Sequence, residues 1–230
     1  MEAEIARKNA VCKALELPYW RDSKVIGIGT GRTVTMLLSL MPRGFLENKV
    51  FVASSLDTLL RLKTLGARVL DPSSVCRLDM YIDSADAFDE KARLVKGGGA
   101  ALSMEKILAF ASKRFIVVVE EEKLVKNILS VRIPVEVRKE AISIVAEVLR
   151  EKGLKPEIRE AQKGKRGPII TDLGGIIIDI DASMWNDTPE KLDRFLKSIP
   201  GVVETGLFID MATDIVVGYR DNAVHRRLRG

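Results

Sequence analysis

The stretch KVIGIGTGRT, Lys24 to Thr33, decides how the rest of the chain is read. Lys24-Val-Ile-Gly-Ile-Gly29 is a short apolar run of the kind a buried strand needs, and a helix begins near Arg32. The glycines between them make a strand-to-helix turn, the opening of a βα unit. Upstream, Ile5, Ala6, Val11, Ala14 and Leu15 recur at helical spacing across Glu2 to Leu17. Downstream the alternation repeats: strand Val50 to Ala53, a helix over Leu56 to Leu65 ended by Gly66, a short strand Arg68 to Leu70, and a strand Met80 to Ile82. Lys96-Gly-Gly-Gly99 then leads into a helix over Ala100 to Ser112, and Phe115-Ile-Val-Val-Val119 is a continuous apolar strand suited to a sheet covered on both faces. The fold class expected is α/β, with a Rossmann-like, doubly wound, mostly parallel sheet over residues 1–130.

After Pro134 the pattern changes to strand Val131–Val137, helix Lys139–Lys152, strand Lys155–Glu160, strand Ile169–Ile180, helix Pro189–Ile199 and strand Val202–Gly206. That βαββαβ order is the ferredoxin-like split unit, an antiparallel sheet with two helices on one face. It predicts a small α+β domain over 131–206, inserted before a C-terminal segment, 207–230, that returns to the first domain.

Composition narrows the chemistry. The 230 residues are 47% hydrophobic, 30% charged and only 5% aromatic, which fits a well-packed aliphatic protein and excludes a disordered one. Two isolated cysteines, Cys12 and Cys76, and a single histidine, His225, leave no raw material for a zinc site or a histidine-based triad, so they are read as structural or incidental. Catalysis, if present, must use carboxylates, lysines or hydroxyls. The net charge of +5 is partly local, with Lys163, Lys165 and Arg166 in a Gly-flanked loop and Arg226, Arg227 and Arg229 near the C-terminus; it does not amount to a nucleic-acid footprint. No apolar stretch reaches the ~18–20 residues of a membrane span, and MEAEIARK lacks a signal-peptide core, so a cytoplasmic protein with no membrane partner is expected.

In open α/β sheets ligands sit beyond the carboxyl ends of the strands, and four such places carry polar residues. The first is Gly27-Ile-Gly-Thr30-Gly31-Arg32-Thr33, where glycines let the backbone approach an anion at a helix N-terminus, or simply make a tight turn. It is not a dinucleotide fingerprint: the third glycine of GxGxxG falls at Arg32, and the next strand ends in Ser54-Ser55 where an acidic residue would hold a ribose. The second is Asp83-Ser84-Ala85-Asp86, either a helix-capping turn or a pair of working carboxylates. The third is Lys96-Gly97-Gly98-Gly99 with Ser103 and Glu105 beyond it, where the glutamate would also suit a helix dipole. The fourth is Lys123 after strand Phe115–Val119, otherwise an ordinary solvated lysine. Together they offer an anion cradle, two aspartates, a glutamate and two lysines without metal ligands, a set better matched to a small sugar phosphate than to a dinucleotide.

The strings GIGTGRT, SSLDTLLRLKTLG, DSADAFD, KGGGAALSMEKI, PVEV and PGVVETGLF, taken in order, closely resemble the ribose-5-phosphate isomerases of the A type over nearly the whole chain. The resemblance implies interconversion of ribose 5-phosphate and ribulose 5-phosphate in the pentose phosphate pathway. It implies a small-molecule substrate, no cofactor, no metal, and assembly as dimers or tetramers. By matching position, Glu105 is the implied general base, moving a proton between C1 and C2 through a cis-enediolate, with Lys96 and its glycines as donors to the developing charge. Asp83 and Asp86, with Ser84 and Ala85 between them, hold or relay hydroxyl protons; Thr30, Gly31, Arg32 and Thr33 grip the substrate, Lys123 contacts it, and Lys8 adds charge at its phosphate end.

The chain departs from the family pattern in three places. Arg32 stands for a serine, Ser84 for a glycine and Ala87 for a glutamate. Arg32 and Ala87 leave a second reading open, a non-catalytic sugar-phosphate sensor on the same fold. A nucleotide-dependent oxidoreductase is a third.

Overall fold

A computed structural model describes residues 2–161, 164 and 166–228; Lys163, Lys165 and Arg229 lie outside the described residues. The chain runs α1 (Glu2–Leu15), α2 (Tyr19–Asp22), β1 (Val25–Ile28), α3 (Arg32–Leu40), β2 (Val50–Ala53), α4 (Leu56–Thr64), β3 (Met80–Asp83), β4 (Ala87–Phe88) and β5 (Leu94–Val95). It continues with α5 (Leu102–Ala111), β6 (Phe115–Glu120), β7 (Arg132–Val137), α6 (Ile142–Glu151), β8 (Glu157–Ile158) and β9 (Ile176–Asp181). The last elements are α7 (Pro189–Ser198), β10 (Val202–Thr205), β11 (Leu207–Phe208), β12 (Asp214–Gly218) and β13 (Ala223–Arg227).

Two compact units emerge. The first draws on Met1–Ala85, Met104–Leu124 and Met211–Gly230, the second on Asp86–Ser103 and Val125–Asp210. The first unit carries a six-stranded sheet in the order β13-β12-β6-β3-β1-β2, parallel from β2 through β12 with β13 antiparallel at the edge. All six residues of β6 are buried, which is why its sequence is a continuous apolar run rather than an alternating one. On one face Ile26, Ile28, Phe51, Met80, Ile82, Ile116, Val118 and Val216 pack with Ala10, Val11 and Ala14 of α1 and Leu37 and Leu38 of α3. Each such aliphatic side chain removed from water contributes roughly 1.5–3 kcal/mol. The chain goes from β1 to β2 on one side and then to β3 on the other, so the strand order reverses between β1 and β3. Loops leaving the carboxyl ends of those two strands therefore diverge and leave a crevice.

The second unit holds the βαββαβ motif. Its sheet order β10-β7-β9-β8 is antiparallel throughout, the ferredoxin-like arrangement. Ile133, Val135, Val137, Ile178 and Ile180 bury one face against Val145 and Leu149 of α6 and Leu192 and Leu196 of α7. The same unit contains a three-stranded sheet, β11-β5-β4, and this pairing draws to it both Asp86–Ser103, expected in the first domain, and residues 207–210, expected to return there, while the boundary falls after Leu124 rather than at 130.

Several strand bounds differ from expectation. Arg68–Leu70 supplies an isolated bridge, Val69 to Phe51. Lys155–Glu160 shortens to the two residues of β8, and Ile169–Ile180 is broken by a turn in which the Gly174 N–H donates to the Thr171 carbonyl, leaving β9 to begin at Ile176. β3 extends one residue further, so that Asp83 ends the strand itself.

Candidate active site

In the first unit the polar residues cluster at the β1/β3 reversal. Gly29 follows β1, its N–H donating to the Ile82 carbonyl at 2.9 Å, and a Cβ there would lie 1.9 Å from Asp83 Cγ. Only glycine lets the turn pass the aspartate. Gly31, at φ +94°, turns the chain into α3 without a side-chain cap, so the first N–H groups of that helix have neither an intrahelical nor a capping partner, the local arrangement that suits an anion. Thr33 is buried beside it and Arg32 is exposed.

Two residues outside the glycine turn brace it. Thr58 Oγ1 donates to the Gly29 carbonyl at 2.6 Å, and Ser55 Oγ donates to Thr30 Oγ1 at 2.9 Å while capping α4 by accepting from the Thr58 N–H. The Ser54-Ser55 end of β2, where the sequence shows no ribose-binding acid, thus supplies a prop for the turn through Ser55.

Asp83 is buried at 1% exposure and accepts hydrogen bonds from Tyr81 Oη to Oδ2 at 2.5 Å, and from the N–H groups of Ser84 at 2.7 Å and Thr30 at 3.3 Å to Oδ1. Tyr81, fully buried, is the residue that sequence reasoning missed here. Burial and the negative charges of Asp83 and Glu105 push its phenol well above its ordinary value, so it stays protonated and donates. Glu105 itself is buried in the first turn of α5, close enough to Tyr81 to act on it electrostatically.

Lys123 comes to the same rim. Its Nζ donates to Ser84 Oγ at 3.0 Å and pairs with Glu120 Oε2 at 3.0 Å. Glu120 is wholly buried at the end of β6 and also meets Arg7 Nε at 2.5 Å. Burial raises the Glu120 carboxyl, but Lys123 and Arg7 outweigh it and hold the group below its ordinary value. The helical register of α1 turns Arg7 inward and leaves Lys8 exposed, so the cation that α1 directs into this network is Arg7.

In the second unit the Lys96–Gly99 loop is arranged around Asp86, whose Oδ2 accepts the Gly98 N–H at 2.7 Å. A Cβ at Gly98 would approach Asp86 Oδ1 to 2.7 Å, and Gly97 adopts φ +107°. Gly98, Gly99 and Asp86 are exposed, whereas Lys96 is buried with its Nζ 5.5 Å from the Phe208 ring centroid. Ala87, in β4, is buried.

Thus the first unit brings together Thr30, Gly31, Arg32, Thr33, Asp83, Ser84, Ala85, Glu105 and Lys123, and the second brings together Asp86 with Lys96, Gly97, Gly98 and Gly99. His225, in the middle of the edge strand β13, bonds at 2.8 Å to Asp214 at the amino-terminal end of β12, and both cysteines are exposed. Among the described residues no three metal-ligating side chains group together, and no helix is long and apolar enough to cross a membrane.

The chain is similar to known proteins over most of its length. Residues 50–222 match the model of the family described as ribose 5-phosphate isomerase A (phosphoriboisomerase A). A ribose-5-phosphate isomerase A of Aeropyrum pernix is 42% identical over 196 residues, covering 84% of this chain and 82% of the relative. One from Prochlorococcus marinus is 36% identical over 216 residues, covering 92% and 90%. A D-ribose-5-phosphate isomerase solved in complex with phospho-erythronic acid superposes with a TM-score of 0.91 at 34% identity, over 99% of this chain and 100% of its own. The ribose 5-phosphate isomerase A of Methanocaldococcus jannaschii superposes at 0.87 and 30% identity, covering 97% and 99%. The chain belongs to the ribose-5-phosphate isomerase A family.

Proposed function

We propose that this chain interconverts D-ribose 5-phosphate and D-ribulose 5-phosphate by proton transfer between C1 and C2. The observation that carries the reading is the pairing of a buried glutamate, Glu105, with a braced anion cradle on the same unit, a base and a phosphate grip without a nucleotide fingerprint. The open-chain aldose is held at its phosphate end by Thr30 to Thr33 and the α3 N-terminus, with Arg32 and Lys123 adding positive charge. Glu105 removes the C2 proton; the electron pair forms the C1–C2 double bond and charge moves onto O1 as the carbonyl opens. The resulting cis-enediolate takes the proton back at C1 from the same carboxyl, and its O2 becomes the ketone. Lys96 and the Gly99 N–H of its loop stabilise the oxyanion, and Asp83 and Asp86 hold the hydroxyls and pass protons between O1 and O2.

The test is an isomerase assay after EDTA treatment, on the native sequence and on Glu105→Gln. Turnover by the first and a loss of at least ~100-fold in kcat by the second are expected, since the amide cannot accept the proton. Full activity in Glu105→Gln would remove the base assignment; binding of ribose 5-phosphate with no turnover by the native chain would turn the reading into that of a sugar-phosphate sensor.

A further inference from the structure

The three consecutive glycines of the Lys96–Gly99 loop have little intrinsic preference for one backbone conformation, so something must choose the orientation of their peptide planes. In the second unit that choice is made from 60 residues away in sequence by Arg159, just after β8. Its Nη1 donates to the Gly97 carbonyl at 2.7 Å and to the Gly98 carbonyl at 3.2 Å. The rest of the guanidinium is held by Asp179 of β9, with Nε to Oδ2 at 2.7 Å and Nη2 to Oδ1 at 2.5 Å. Both side chains are about four-fifths buried, and the Arg159 backbone is tied on either side, its N–H to the Ile177 carbonyl and its own carbonyl to the Ile169 N–H, each at 2.9 Å.

In a trans peptide the carbonyl of one residue and the N–H of the next point in opposite directions. Drawing the Gly97 carbonyl to Arg159 therefore turns the Gly98 N–H the other way, where it meets Asp86 at 2.7 Å. Drawing the Gly98 carbonyl to the same guanidinium turns the Gly99 N–H away from Arg159 as well. We propose that Arg159, fixed by Asp179, is a positioning residue for the isomerisation: it sets the two peptide planes so that the Gly98 N–H holds Asp86 and the Gly99 N–H, rather than a carbonyl, is offered to developing negative charge. A lysine cannot do this, because a single ammonium lacks the fork that grips a carboxylate and two carbonyls together.

The inference rests on the function proposed above, and the native chain assayed alongside separates the two: no turnover by the native chain removes that reading and this one together, whereas native turnover with unaffected variants removes this one alone. Arg159→Ala, Arg159→Lys and Asp179→Asn are compared in steady-state kinetics with thermal melts. For Arg159→Ala, a fall in kcat of at least ~10-fold with KM changed less than about threefold is expected, as for any loss of transition-state positioning. Guanidinium ion at tens of millimolar restores part of that kcat, and Arg159→Lys stays below half of native kcat. A merely structural role would lower the melting temperature and leave kcat of the folded protein, and its response to guanidinium, unchanged. Native kcat in folded Arg159→Ala overturns the proposal, as does a kcat loss that guanidinium does not relieve. If Arg159→Ala does not fold, Asp179→Asn decides: a severalfold loss of kcat supports the role and native kcat overturns it.

Discussion

The Tyr81 hydroxyl donates to Asp83 Oδ2 at 2.5 Å, two residues apart on β3, and both side chains are buried. Residues i and i+2 of a strand share a face, so the phenol lies along the strand to reach the carboxylate at its end. A buried carboxylate without its donors is costly, so Tyr81 is part of what allows Asp83 to sit at the crevice as a charged acceptor. Tyr81→Phe should cost about 1.5–3 kcal/mol in stability, the range for a buried hydrogen bond to a charged group, and should lower kcat. Denaturant titration and kinetics check both.

The same tyrosine sets an alkaline limit. Burial, then the charges of Asp83 and Glu105, hold its phenol protonated in the folded chain well above the value near 10 at which it ionises when unfolded. The folded state therefore binds the proton more tightly, and the associated stability is complete below pH ~10 and declines as pH rises beyond it. Thermal melts from pH 8 to 11 should show a shallower alkaline decline in Tyr81→Phe than in the native chain.

Gly29→Ala should be far worse than a typical surface glycine replacement. The added Cβ would stand 1.9 Å from Asp83 Cγ, whereas one at Gly44 meets nothing within 4 Å. Overpacking of this kind costs ~1–3 kcal/mol, and displacing Asp83 should depress activity further, while Gly44→Ala stays within ~0.5 kcal/mol of native. Urea melts of the two variants, side by side, make the comparison.

Glu120→Gln leaves Arg7 and Lys123 facing a neutral amide in a buried position. A stability loss of about 3–5 kcal/mol follows from breaking a buried ion network by removing one partner. Lys123, released from Glu120, should also bind substrate less well and raise KM. The carboxyl sits below its ordinary 4.5 when folded, because Lys123 and Arg7 outweigh the effect of burial. Its contribution is thus present above pH 4.5 and lost as pH falls through the lowered value. Equilibrium unfolding of the native chain and the variant between pH 3 and 7 should converge toward the acid end.

Asp79, just before β3, makes a similar but milder acid limit in the first unit. Although burial raises its carboxyl, Lys113 and the N–H groups of Val25 and Lys24 bring it down to about 2. Stability from this group is complete above pH 3.8 and lost as pH falls toward 2, so Asp79→Asn should flatten the native chain's acid unfolding between those values. Acid titration followed by circular dichroism tests it.

Much of this protein was legible before any fold was drawn. The unbroken apolar run Phe115–Val119 could only be a strand covered on both faces, the βαββαβ order carried its own sheet topology, and the glycine turns at Gly29–Gly31 and Lys96–Gly99 marked where backbone had to pass close to something. These are local signals, because period, turn chemistry and glycine usage act over a few residues. What the glycines accommodate was not legible. Only tertiary structure showed Asp83 against Gly29, Asp86 against Gly98, Arg7 meeting Glu120, Ser55 and Thr58 under the turn, and Arg159 above the glycine loop. Each of these joins side chains far apart along the chain, or one side chain to a backbone group, and such contacts leave no periodic trace. The sheet pairing that assigns Asp86–Ser103 to the second unit escaped for the same reason: β4 and β5 are two residues each, too short to show a pattern, and acquire their place only by pairing with one another and with β11.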